Sequence, residues 1–126
     1  MTKEPTSAAF LDLERLRSLA ELTDGGIYLI IDEFSDNLMN RIRAIGVEVE
    51  RRDADAISNQ VHQLKGSAAN CGFSQLTAVL SKPRENHWID VAAMEKCALD
   101  SIEVWKLFLA REVLDYPDLD LSPTGG

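Results

Sequence analysis

His62, Lys65 and Gly66 stand at i, i+3 and i+4 in the chain, and these residue types at this spacing suit the capture of a phosphoryl group. On a helix, positions three and four apart are neighbours. A neutral imidazole nitrogen is a nucleophile, and a solvated imidazole with a pKa of ~6.5 is mostly neutral at pH 7. Phosphoryl transfer asks a protein mainly for positioning and for charge stabilisation of the equatorial oxygens, which one lysine a turn away supplies without a metal. The surrounding pattern places the three residues on a helix. Ile57, Val61, Leu64 and Ala68 recur at steps of three and four, the signature of a buried stripe. At about 100° per residue, His62 falls roughly 120° from the middle of that stripe and faces solvent.

Gly66 is the least expected member of the set. A glycine on an exposed helix surface costs about 1 kcal/mol relative to alanine through backbone entropy. Neither a turn nor a helix end accounts for it, since Ser67, Ala68 and Ala69 continue the pattern. Its effect is to leave bare backbone beside the imidazole, so that a large partner can approach closely. A local rule broken in this way is expected where function demands it.

Other candidate chemistry is weaker. His87, between Asn86 and Trp88 in a connection, has no basic or glycine neighbour and reads as a solvated loop residue. Cys71 and Cys97 are in no metal-ligand spacing and form no disulfide framework; they read as small core residues of a reducing compartment. Trp88 and Trp105 read as core or cap residues. Glu33, Asp36, Glu48 and Glu50 read as a solvated face, because paired carboxylates for hydrolysis need a cleft that a small filled bundle does not offer. No metal site is expected.

The elements that position His62 are helical throughout. A first helix is predicted over Phe10 to about Leu22, with Leu13, Leu16 and Leu19 or Ala20 on one side, ended by Asp24-Gly25-Gly26. A second runs from Ile27 to about Val49 on the stripe Ile27, Ile31, Phe34, Leu38, Ile42, Ile45, Val49. Asp53 caps the third, which carries His62 to about Asn70 with Gly72 just beyond. Ser74 is a candidate cap for a fourth, short helix that Pro83 ends or kinks. Asp90 opens the fifth, from Val91 to about Leu114, with Val91, Met94, Ala98, Ile102, Trp105 and Leu109 inward. Strand signals are nearly absent. The expected fold is therefore all-α, an up-and-down antiparallel four-helix bundle with an additional short N-terminal helix. Residues 1–8 are expected to form a flexible N-terminal tail, 9–115 the bundle domain, and 116–126 a flexible acidic C-terminal tail.

Composition narrows the function classes. Thirteen basic against 21 acidic residues give a net charge of −8, which disfavours nucleic acid and anionic lipid as partners. The longest aliphatic and aromatic run, Ile27 to Ile31, is far short of the ~20 apolar residues of a membrane helix. No secretory signal precedes it. A cytoplasmic monomer is expected.

The run His62-Gln63-Leu64-Lys65-Gly66-Ser67-Ala68-Ala69-Asn70-Cys71-Gly72 resembles the phosphorylation motif of histidine-containing phosphotransfer (HPt) domains, which reads H-x-L-K-G-S, small residues, then glycine. The Gly-Gly connection before the second helix, Phe34 in its middle and the Asp-Ala-Asp start of the third are similar too, so the likeness extends over about residues 10 to 114. Family members usually carry a glutamate soon after the leucines of the fourth helix, where this chain has Ser81-Lys82-Pro83-Arg84 instead. The resemblance implies that His62 is the phosphoacceptor, that Lys65 steadies the phosphoryl group, and that Gly66 gives access to a receiver domain. Asn59, Gln63 and Ala69 become candidates for partner docking. It further implies a phosphocarrier more than a true enzyme, without kinase activity or cofactor of its own, Mg²⁺ being held by the partner. Those partners would be the receiver domains of a hybrid sensor kinase and of a response regulator in a two-component phosphorelay. With no kinase or receiver sequence, the chain reads as a free-standing module or the excised end of a hybrid kinase. The alternative class is a non-catalytic binding module that docks or sequesters a signalling partner; retention of a nucleophile together with Lys65 and Gly66 argues against it.

Overall fold

The computed structural model describes residues 7–82 and 89–119, and among these every regular element is helical. The helices are α1 (Ser7–Phe10), α2 (Leu13–Thr23), α3 (Gly26–Arg51), α4 (Ala54–Asn70), α5 (Ser74–Ser81) and α6 (Val91–Glu112), the last passing into a 3-10 turn over Val113–Asp115. α4 packs on α3 and α5, and α6 packs on the same two helices, so the four enclose one core. α2 lies against α3, and α1 bridges α5 and α6. No helix among the described residues is long and apolar enough to cross a membrane.

Both ends of the His62 helix are built as the sequence predicts. Asp53 is the N-cap, its Oδ1 accepting the Ala56 N–H at 3.1 Å, which satisfies one of the helix's orphan donors. At the other end the Gly72 N–H donates to the Ala69 carbonyl at 3.2 Å and the Phe73 N–H to the Ala68 carbonyl at 2.9 Å, the paired bonds of a Schellman turn. Gly72 is required there twice over: its φ is +75°, and a Cβ would lie 2.9 Å from Leu16 Cδ2. The Gly72 carbonyl in turn accepts the Asp12 N–H at 2.9 Å, tying the N-terminal segment to the end of α4.

That tie explains one departure from the sequence reading. The first helix does not run unbroken from Phe10. The chain breaks at Leu11-Asp12: Leu11 is buried, the Asp12 backbone turns to Gly72, and the Asp12 carboxylate starts α2 by accepting the Arg15 N–H at 3.2 Å. Ser74 is not a cap but the first residue of α5. The Schellman turn buries Phe73 at the cap position, where its carbonyl accepts the Thr77 N–H at 3.0 Å. α5 ends at Ser81, with Lys82 extended at φ −61°, ψ 139°, as the residue before a proline must be.

α6 ends as an α-helix at Glu112 rather than Leu114, and its buried face is wider than a single stripe. Met94, Ala98 and Trp105 are buried as expected, whereas Val91, Ile102 and Leu109 are only partly so; Cys97, Ser101, Val104 and Phe108 complete the interior face. A helix that packs on two long neighbours at once needs this breadth. Trp105 is fully buried, with its indole N–H donating to Asp32 Oδ1 at 2.9 Å. Tyr28 sets its ring edge-on to Trp105, Phe108 and Tyr116 at centroid distances of 6.0, 5.8 and 5.8 Å. Burial pushes the Tyr28 phenol up to about 12. Within the segment 116–126, Tyr116 and Leu119 pack on the core, and residues 120–126 lie outside the described residues, as do residues 1–6, Pro83, His87 and Trp88. Cys71 and Cys97 are buried free thiols, each pushed above the ordinary thiol range by burial.

Candidate functional site

The α4 stripe of Ile57, Val61, Leu64 and Ala68 is buried to within 2 % exposure at every position. This fixes the rotation of the helix and therefore what it presents outward. His62, Lys65 and Gly66 are all exposed, as are Asn59, Gln63 and Ala69. One helix surface thus carries every residue that the sequence singled out. Neither the His62 ring nor the Lys65 ammonium has a hydrogen-bond or ion-pair partner among the described residues.

Gly66 completes the surface by what it lacks. A Cβ built at this position meets nothing within 4 Å, and the backbone there has an ordinary negative φ. Neither packing nor backbone conformation demands glycine. The space over Gly66 is open and adjoins His62, one helical turn away. Among the described residues, the imidazole and the lysine ammonium one turn on have no partners, and no side chain stands over Gly66 to obstruct an approach from solvent.

The other expected candidates fall elsewhere. Glu33, Asp36 and Glu50 are exposed and form a solvated face, whereas Glu48 departs from that reading: its side chain is mostly buried and pairs with Arg51 at 3.4 Å. No group of His, Cys, Asp and Glu that could hold a metal ion occurs among the described residues. On the α3 side of α4 runs an open groove of about 280 Å³ lined by Arg41, Ala44, Ile45, Gln60 and Gln63. Of these only Gln63 was a sequence candidate. Periodicity reveals which residues of α3 are buried, but not which flank of α3 meets α4, so Arg41 carries no signal before the helices are packed.

The fold is helical throughout its described residues, and His62 and Lys65 stand exposed on one of its helices. Residues 29–85 match the family model described as the Hpt domain, which supports an Hpt domain in this chain. The match runs from within α3 through α4 and α5 and contains His62, Lys65 and Gly66. Hpt domains are phosphotransfer modules of two-component signalling and interact with receiver domains. Comparison with curated proteins and with solved structures gives no match.

Proposed function

We propose that this protein accepts a phosphoryl group on His62 from the aspartyl phosphate of one receiver domain and passes it to the aspartate of another. The observation that carries the proposal is the joint exposure of His62, Lys65 and an uncrowded Gly66 on α4 within an Hpt domain. In the first half-reaction the lone pair of the imidazole attacks phosphorus. The N–P bond forms as the acyl O–P bond breaks, and the donor aspartate leaves as a carboxylate carrying the bonding electron pair. The imidazole proton on the other nitrogen is released to solvent, and the second half-reaction runs the same steps in reverse on a new carboxylate.

Lys65 places its ammonium beside the three equatorial oxygens, where charge is spread in the transition state. Gly66 admits the receiver. Asn59, Gln63 and Ala69 surround the histidine and form the ground on which the receiver docks. Mg²⁺ belongs to the receiver in this scheme, and α3 to α6 form an up-and-down antiparallel four-helix bundle that holds His62 in place. In this reading the chain acts as a cytoplasmic, monomeric phosphocarrier between a hybrid sensor kinase and a response regulator. The test is incubation with receiver domains phosphorylated by acetyl phosphate. Wild type should gain acid-labile, alkali-stable phosphate and His62→Gln should gain none, whereas binding without any transfer would favour a docking module.

A further inference from the structure

One stretch of the chain differs from all the rest in charge. Between Asp55 and Glu85 there is no aspartate or glutamate, although the chain holds 21 acidic residues in 126. This stretch is α4, α5 and the turn between them, the surface that bears His62. The acidic residues lie on the other helices, Asp32, Glu33 and Asp36 on α3 and Glu95, Asp100, Glu103 and Glu112 on α6 among them. A molecule of net charge −8 thus keeps its phosphoacceptor helix free of negative charge beyond the first turn.

The groove beside that helix carries a cation of its own. Arg17, Arg51, Lys96 and Lys106 are each within 4 Å of a carboxylate, at Glu112, Glu48, Asp100 and Asp36. Arg41 has no carboxylate and no hydrogen-bond acceptor among the described residues, though it is partly buried at the groove wall. Its charge is felt at the end of α4, where it opposes the upward push of burial on the Cys71 thiol. Gln60 and Gln63 line the same groove with amides that have no partner among the described residues, and Ile45 and Ala44 supply an apolar floor. At about 280 Å³ and open to solvent, the groove is below the usual range of small-molecule pockets and suits a side chain instead. A standard interface buries about 800 Å² per partner, a patch of radius about 16 Å. A receiver centred on His62 therefore covers Gln63 and the groove next to it.

We infer that Arg41, with Gln60 and Gln63, forms a second docking point that takes a carboxylate side chain from the receiver's surface, on the flank of α4 opposite Lys65. The inference rests on the phosphotransfer reading and adds a specificity-determining residue to it. A guanidinium offers a planar fork of donors that matches a carboxylate. An acid-free surface on an otherwise acidic molecule orients an acidic partner before contact and repels it elsewhere.

The experiment measures transfer from a panel of purified receiver domains, phosphorylated with acetyl phosphate, to wild type, Arg41→Glu and Arg41→Lys at several salt concentrations. For a receiver that serves wild type, Arg41→Glu should raise the half-saturating receiver concentration about tenfold and flatten its salt dependence. Arg41→Lys should recover most of the loss, and thermal unfolding of all three proteins should be similar. Unchanged half-saturation and salt dependence in Arg41→Glu, with His62 still labelled, would overturn the docking point and leave the phosphotransfer reading intact. If no receiver labels wild type, the phosphotransfer reading fails and the docking point fails with it.

Discussion

The outer face of α4 and the seam between α3 and α6 treat polar groups in opposite ways. In the seam, Trp105 is fully buried and its single N–H is matched to Asp32 at 2.9 Å, while Tyr28 is enclosed by three aromatic rings. On α4, His62 and Lys65 stand in solvent without described partners, and the space over Gly66 is empty. Buried polar groups left unpaired cost stability; the seam pairs the Trp105 N–H, while Ser35 Oγ on α3 is buried without a partner among the described residues. On the α4 face solvent does the pairing, because His62 and Lys65 are exposed. If the α4 face carries the proposed transfer, substitutions in the seam should register as stability and substitutions on that face as transfer.

The comparison breaks if the two effects mix. Trp105→Ala should lose about 3–5 kcal/mol, through the cavity and the stranded Asp32 carboxylate. His62→Gln should stay within about 0.5 kcal/mol of wild type in the same denaturant titration while transfer is abolished. Lys65→Ala comes next in size. If its ammonium stabilises the transferring oxygens, the single-turnover rate should drop by the equivalent of ~2–4 kcal/mol, with receiver affinity nearly unchanged. An unchanged rate would reduce Lys65 to a surface charge.

The seam can be probed by pH. The unfolded chain releases the Tyr28 phenolic proton near the ordinary value of ~10, whereas the folded chain holds it up to about 12. Between those values the unfolded state binds fewer protons, so stability falls as pH rises, by on the order of 2 kcal/mol for this group. Tyr28→Phe should flatten that slope in unfolding curves recorded from pH 9 to 12.

The smallest expected effect on stability is the most discriminating. Gly66→Gln removes the entropic penalty of glycine in a helix and should raise stability by a few tenths to about 1 kcal/mol. The open space leaves the new side chain unopposed within the fold. Transfer should nevertheless fall sharply, because that side chain occupies the path to His62. A much lower melting temperature would show Gly66 to be closely packed after all.

How much of this was readable before the helices were packed depends on the range of the forces involved. α4 was legible almost to the residue, because its buried stripe, its Asp53 cap and the Gly72 stop all act within a few positions of one another. The exposure of His62 and Gly66 followed from the same stripe, which set Lys65 at its margin, where the structure leaves it exposed. The break at Leu11-Asp12 was not legible, since it depends on a backbone bond to Gly72, far along the chain. The same holds for Trp105 and Asp32, which are 73 positions apart. Arg41 belongs with these: its place in the groove is decided by which side of α3 meets α4. Local patterns set helices and their faces, and tertiary contacts decide what each face stands beside.

The central claim is that the unpartnered histidine of α4 is the group that carries phosphate. Its most direct test is site mapping of the protein, by tandem mass spectrometry under alkaline conditions, after transfer from a phosphorylated receiver. A single phosphate on the imidazole of His62 and none on His87 is expected. A phosphate mapped to His87, to a serine or to a carboxylate, with His62 unmodified, would contradict it.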